Sequence, residues 1–359
     1  MSTAPPPVPK VRSRSQGAAI PLDDLDRQLL NLMQGSFPIE PRPYAAVARE
    51  AGTDERRVMA RVRTLLDQRI IRQVTPIYDT RALGYASMLV AARVDPEHPW
   101  RAARIVNEHP GVSHNYLRNH AFNMWFTIAV EPGSRLGLDG TLDVLQRLTG
   151  AESIRQLPTL TLFKIRMDLD MQGGTSVLAS EGAAQEPAEL EAVAYDEQDE
   201  AVIRATQGDL PVVPEPYEPA ASRLGMAQDA LLEHMRGMQR RGLLRRVAAI
   251  LYHRRAGFSA NGMGVWKVPD EHIAELGPRM AAFRGISHCY QRPTYPDWPY
   301  SIFTMAHGRS KDECDAILDS IAEQTGITER ATLYSSTEFK KVRLLYFTDD
   351  YRRWEQAHV

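Results

Sequence analysis

Two short strings carry the residues best suited to chemistry. Gly111, Ser113, His114, Tyr116 and Arg118 (GVSHNYLR) return 174 positions later as Gly285, Ser287, His288, Tyr290 and Arg292 (GISHCYQR). Alternate residues of a strand share one face about 6.6 Å apart, so each string sets His, Tyr and Arg in a row. Imidazole exchanges protons near neutral pH or approaches a metal, guanidinium grips carboxylates, and phenol donates hydrogen bonds. His120, Asn123 and Trp125 follow the first row; Tyr295, Trp298, Tyr300 and His307 follow the second. Mapping Phe126-Thr127 onto Phe303-Thr304, a shift of 177, makes the second hairpin longer by three residues and leaves nothing there to match His120. Aromatic faces, cations and imidazoles together suit a flat, conjugated, polyanionic ligand, and a tetrapyrrole meets all three demands. The competing reading is a polar seam between sheets, with Trp125 and Trp298 as ordinary core.

The elements that must position these rows are themselves duplicated. Pro38, Pro41, Pro43 and Tyr44 recur as Pro211, Pro214, Pro216 and Tyr217, 173 positions on. Apolar spacing over 22–72 predicts three helices in a winged helix-turn-helix pattern, with FPIEPRPY as a rigid extended connector. Strands at 85–94, 111–118, 122–131 and 153–166 and helices at 99–109 and 135–149 follow, a β-α-β-β-α-β order that predicts a ferredoxin-like unit with helices on one sheet face. The second half repeats the order, and FKIR at 163–166 has an echo in FKKVR at 339–343. The fold class is thus α+β, a tandem duplication. It divides into a disordered tail (1–20), a first winged helix (21–80), a first ferredoxin-like domain (81–170), a flexible Gly/Ala/Ser/Glu linker (171–195), a second winged helix (196–253), a second ferredoxin-like domain (254–348) and a C-terminal tail (349–359). The linker lets the halves pair as a pseudo-dimer in one chain.

Composition narrows the classes. With 43% hydrophobic and 25% charged residues among 359, the chain buries proper cores. Its net charge of −2 exerts no global pull on nucleic acid. Cys289 and Cys314 suggest neither a disulfide framework nor a zinc site. The start lacks an uninterrupted apolar core and no stretch approaches the roughly 20 apolar residues of a membrane span, so a cytoplasmic protein is expected. The first recognition helix offers Arg56, Arg57, Arg61, Arg63 and Arg69 to DNA, but its twin carries Asp229 and Glu233. Two unlike readers spoil the symmetry that dimeric regulators use, which argues against DNA as a partner.

A winged helix followed by a ferredoxin-like module resembles the Lrp/AsnC regulators. SHNYLRNHAFNMWFT and SHCYQRPTYPDWPYSIFTM, with the proline inserts, are instead similar to the siroheme decarboxylases of the NirD, NirL, NirG, NirH, AhbA and AhbB type. Two such units in one chain resemble the fused NirDL form, over roughly 22–170 and 196–347. The resemblance implies non-oxidative loss of carbon dioxide from the C12 and C18 acetates of sirohaem to give 12,18-didecarboxysirohaem. This lies on the way to the dioxo-haem of cd-type nitrite reductase, or serves an alternative haem route. It implies sirohaem as partner and no cofactor beyond the substrate's own iron. Homo-oligomerisation and contact with other haem-pathway enzymes stay open. His114, His288, Tyr116 and Tyr290 are then the catalytic candidates. Arg118, Arg292, His120, Asn123, Trp125, Tyr295, Trp298, Tyr300 and His307 are the binding ones. The protein supplies no metal site of its own, and His114, His120, His288 or His307 approaches the substrate iron. The alternatives from other classes are a tetrapyrrole-sensing Lrp/AsnC-like regulator and a haem carrier.

Overall fold

The computed structural model describes residues 22–165, 193–252, 260–283 and 285–359. The expected N-terminal tail and nearly all of the expected linker fall outside these residues. The first winged helix comprises α1 (Asp24–Gly35), α2 (Pro43–Glu50), α3 (Glu55–Asp67) and β1 (Ile71–Tyr78). The first ferredoxin-like unit follows as β2 (Ala86–Arg93), α4 (Pro99–Glu108), β3 (Val112–Arg118), β4 (Met124–Val130), α5 (Gly137–Thr149), β5 (Ser153–Gln156) and β6 (Thr161–Ile165). The second half repeats this with α6 (Glu197–Thr206), α7 (Glu218–Leu224), α8 (Gln228–Arg241), β7 (Leu244–Leu251), β8 (Ala260–Trp266), α9 (Asp270–Ala281), β9 (Ile286–Gln291), β10 (Ile302–Gly308), α10 (Lys311–Thr325), β11 (Arg330–Leu333) and β12 (Ser335–Lys341). Residues 349–359, expected as a tail, instead form α11 (Asp349–His358), because Tyr351 and Trp354 have apolar surface to bury against the first half.

The two winged helices make one body. β1 and β7 pair antiparallel into a two-stranded ribbon, and α1 to α3 share a core with α6 to α8. The proline connectors seal it reciprocally. Arg63 on α3 donates to the Val212 carbonyl at 2.5 Å, and Arg236 on α8 donates to the Ile39 carbonyl at 2.7 Å. Arg61 is engaged by Asp23 and Asp26. Two of the five arginines offered to DNA are therefore committed within the chain.

Each sequence-predicted final strand is in fact two. Residues 153–166 break into β5 and β6, and β6 crosses to the other sheet to pair with β9; β11 and β12 break the same way, and β12 pairs with β3. The sheets are thus β12-β3-β4-β2-β5 and β11-β8-β10-β9-β6, each closed by a strand from the other half. The repeated Phe-Lys pair explains the exchange. Phe163 and Phe339 pack into the opposite half's helix–sheet core. Lys164 donates to the Ala281 carbonyl at 2.9 Å and Lys340 to the Asn107 carbonyl at 2.7 Å, so each lysine satisfies carbonyls at a partner helix's C-terminus. Gly277 on α9 is required by this packing, since a Cβ there would sit 2.3 Å from the Phe163 ring. Gly277→Ala raises helix propensity by about 1 kcal/mol, yet it should lower the thermal midpoint because the ring must retreat. Shrinking the ring with Phe163→Leu should recover part of the loss.

Alternation along the strands sorts two faces. Val90, Ala92, Met124 and Phe126 lie under the helices, whereas Ala91 and Trp125 face the other sheet. There they meet Met263, Val265, Trp298, Phe303 and Leu333 from the second half, so the sheets pack through their helix-free faces.

One buried group ties stability to pH. His109, 3% exposed, is wedged against Tyr351 and Trp354 of α11, with ring centroids 5.9 and 4.5 Å away. Its Nδ1 accepts the Gly111 N–H at 3.1 Å, and burial, helped by Lys340 and His358, pushes its pKa down to about 3. The unfolded chain therefore binds the extra proton first, so this stabilisation is complete above pH ~6.5 and is lost as pH falls toward 3. Between pH 7.5 and 5 the loss should be about 2 kcal/mol. Urea titrations at both pH values should show a shallower drop for His109→Gln.

Candidate functional site

Each His-Tyr-Arg row runs along the helix-free face into the seam between the sheets, and the first row starts at a cleft. The His114 and Tyr116 rings stack at 6.2 Å, and the Arg118 guanidinium lies 6.0 Å from the Tyr116 ring and 5.6 Å from Trp125. In the second half His288 and Tyr290 stack at 6.0 Å, and Arg292 lies 5.0 Å from Tyr290 and 5.4 Å from Phe303.

His114 alone of the first row lines the cleft, a space of about 430 Å³ between the wing ribbon and the first sheet. Ser113, Thr127, Arg72 and Gln73 also line it, with Val342 to Leu344 where the chain leaves β12. Ser113 Oγ lies 3.0 Å from His114 Nδ1 and 2.8 Å from Thr127 Oγ1, so the imidazole is held by hydroxyls. Burial lowers the His114 pKa, as do the charges of Lys341 and Arg72, while Glu338 opposes them. Gly111 belongs to this wall because a Cβ there would fall 1.8 Å from the Ala129 carbonyl oxygen. Its twin Gly285 is needed for another reason, a φ of +84°.

The arginines expected as carboxylate clamps sit deeper. Arg118 donates to the Leu333 carbonyl at 3.1 Å and Arg292 to the Leu157 carbonyl, so each fastens the crossover that precedes an exchanged strand. Neither has a carboxylate partner among the described residues, and burial pushes both pKa values down to about 10. The aromatic candidates form the middle of the seam. Trp125 and Trp298, 1% and 0% exposed, meet edge to face at 5.3 Å, which leaves no open ring face for a ligand. Their expected stacking role is corrected to core packing. His120 and Tyr300 border Trp298, with His120 5.3 Å from it; burial, then Arg93, lowers the His120 pKa. Tyr295 donates to the Gln156 carbonyl, and buried Asn123 exchanges hydrogen bonds with Val94. His120, Tyr295 and Tyr300 join the halves, Asn123 braces Val94 within the first half, and none of them lines the cleft.

The second half differs at its histidine. Ser287 Oγ lies 2.6 Å from His288 Nδ1 and 2.5 Å from His307 Nε2, and His307 Nδ1 lies 2.8 Å from Asn261 Oδ1. Burial, then His307, pushes the His288 pKa down to about 4. Strand register corrects the expected alignment as well. Arg118 N–H bonds the Asn123 carbonyl and Arg292 N–H that of Ser301; Ala129 N–H bonds Gly111 and His307 N–H bonds Gly285. The offset is therefore 178 rather than 177, the second hairpin is longer by four residues, and His307 occupies the place of Ala129. Arg72, Ser113, Thr127 and Lys341 were missed as site residues. Ser113 was detectable through its repeat as Ser287, and Arg72 through its repeat as Arg245, but neither type alone signals a site. Among the described residues no His/Cys/Asp/Glu cluster is grouped to hold a metal, and no helix is long and apolar enough to cross a membrane.

Comparison with known proteins finds relatives of both kinds of domain. The AsnC-like ligand binding domain matches residues 82–164 and 255–340, and the siroheme decarboxylase NirDL-like HTH domain matches 26–72 and 199–245. A siroheme decarboxylase of Hydrogenobacter thermophilus is 37% identical over 333 residues, covering 91% of this chain and 96% of its own. The chain belongs to the siroheme decarboxylase family. Another member, the siroheme decarboxylase NirDL subunit of Paracoccus denitrificans, is 32% identical over 83% of this chain and 89% of its own. The siroheme decarboxylase beta subunit of Methanosarcina barkeri is 40% identical but spans 41% of this chain and 96% of its own length, so family members also occur as separate half-length subunits. The crystal structure of the siroheme decarboxylase NirDL aligns with a TM-score of 0.75 at 33% identity, covering 93% of this chain and 98% of its own. A second such structure, at 32% identity, is a co-complex with an iron-uroporphyrin III analogue.

Proposed function

We propose that this chain is a sirohaem decarboxylase, a carboxy-lyase that removes carbon dioxide without an oxidant from the C12 and C18 acetates to give 12,18-didecarboxysirohaem. The observation that carries this reading is the cleft beside His114, where a half-buried imidazole held by hydroxyls sits beside the cations Arg72 and Lys341. A ring bearing many carboxylates is the ligand such a surface favours. The family relatives support the same substrate.

Each loss breaks the bond between the acetate methylene and its carboxylate. The electron pair is held by the conjugated ring and ends in a new C–H bond, so one proton is consumed per acetate. His114 and His288 are the proton donors in this reading, since burial keeps them neutral until they are charged at the moment of use. Tyr116 and Tyr290, stacked on them, orient the rings. A salt bridge to the departing carboxylate would hold it back, because catalysis requires stronger binding in the transition state. Arg72 and Lys341 therefore grip retained carboxylates, while Arg118 and Arg292 set the seam behind them. The iron belongs to the substrate, and the reading calls for no other cofactor.

The test is anaerobic incubation of purified protein with sirohaem, followed by mass spectrometry of the extracted tetrapyrrole. Sequential loss of two carbon dioxide units is expected. Sirohaem recovered intact after a binding-induced spectral shift would refute the enzyme and favour a sensor or carrier.

A further inference from the structure

The first-half hydroxyl chain ends at Thr127, but its counterpart ends at a second imidazole. Asn261 Oδ1 faces His307 Nδ1 and so holds that nitrogen protonated, which leaves His307 Nε2 as the atom that gains and loses a proton toward Ser287. Ser287 Oγ in turn faces His288 Nδ1, and the outer His288 nitrogen is left for the substrate. In the first half Ala129 fills the position of His307, and among the described residues the Ser113 hydroxyl is hydrogen-bonded to His114 and Thr127.

We propose that His307, acting through Ser287, recharges His288 with a proton, so that the two halves of the chain are chemically unequal and this relay serves only one of the two decarboxylations. The proposal rests on the sirohaem decarboxylase reading. The step balances as follows. The carbon–carbon bond to the departing carboxylate breaks and carbon dioxide leaves. The electron pair takes the proton from His288 Nε2 as a C–H bond. Water first protonates the half-buried His307 at Nε2; that proton passes to Ser287 Oγ as the Ser287 hydroxyl proton passes to His288 Nδ1, which returns His307 to its neutral Nδ1–H form, and after the product leaves, exchange with water moves the His288 proton back to Nε2. No oxidant or reductant enters. His307 is a positioning and supply residue, and His288 is the group that touches substrate.

The experiment compares wild type, His307→Ala, Ser287→Ala and Ser287→Thr in anaerobic sirohaem turnover, with mass spectrometry and absorbance titration of sirohaem binding. In His307→Ala and Ser287→Ala one of the two losses should slow at least tenfold at saturating substrate, so that a mono-decarboxylated species accumulates while affinity stays at the wild-type value. Ser287→Thr, which keeps the hydroxyl, should restore both losses. Wild-type rates in the alanine variants, equal slowing of both losses, slowing that tracks weakened binding, or a threonine variant as slow as alanine would each overturn the relay. Nitrogen-15 NMR of the substrate-free protein gives an independent readout. His307 should be the Nδ1–H tautomer and the ring shifts of both His288 and His307 should move in Ser287→Ala; unmoved shifts overturn the relay even if wild type leaves sirohaem intact, an outcome that by itself sinks the decarboxylase reading instead.

Discussion

His114→Ala should lower sirohaem turnover by about 10²–10⁴-fold, the range a positioned proton donor supplies, while leaving sirohaem binding largely intact. The imidazole lines the cleft, is fixed by Ser113 and Thr127, and is kept neutral by burial beside Lys341 and Arg72. Arg72 and Lys341 remain in the variant to hold the carboxylates, so the deficit belongs in kcat and not in the dissociation constant. Single-turnover rates at saturating sirohaem, read with the binding isotherm, separate the two. Wild-type kcat in this variant would remove His114 from the chemistry, and a matching loss of affinity would make it a binding residue.

Trp298→Ala should cost about 3–5 kcal/mol of stability and leave the affinity of the folded protein for sirohaem unchanged. The indole is fully buried and touches His120, Phe122, Trp125, Tyr300 and Phe303, so truncation opens a cavity where the two halves meet. Denaturant unfolding measures the first effect and absorbance titration of folded protein the second. A variant as stable as wild type that binds sirohaem poorly would return Trp298 to the stacking role that its residue type suggests.

The aromatic cluster shows where residue type misleads. Trp, Tyr, His and Arg in a loop are the parts of a tetrapyrrole site and equally those of a sealed seam, because both need flat apolar faces with polar edges. What separates them is whether another surface already covers the rings, which is a fact about the opposite sheet. His307 was detectable by type, but its place was not. Four extra hairpin residues move the register so that it replaces Ala129, which the strand pairing and the hydrogen bonds to Gly111 and Gly285 reveal.

The sequence by itself determined the duplication, the order of helices and strands in each half, the helix-free face carrying His114, Tyr116 and Arg118, and the family resemblance. These follow from local pattern: periods of 3.6 and 2, proline positions and repeated strings record which residues share a face. Only the tertiary structure decided that β6 and β12 change sheets, that the repeated Phe-Lys pairs lock into the opposite half, and that residues 349–358 fold back as a helix. It also decided that Arg118 and Arg292 bond crossover carbonyls while His114 opens onto a cleft. The physical reason is that a strand's edge hydrogen bonds and the cover of a sheet face are non-local. The same alternating pattern satisfies them with either half, and the choice belongs to the packed pair of sheets.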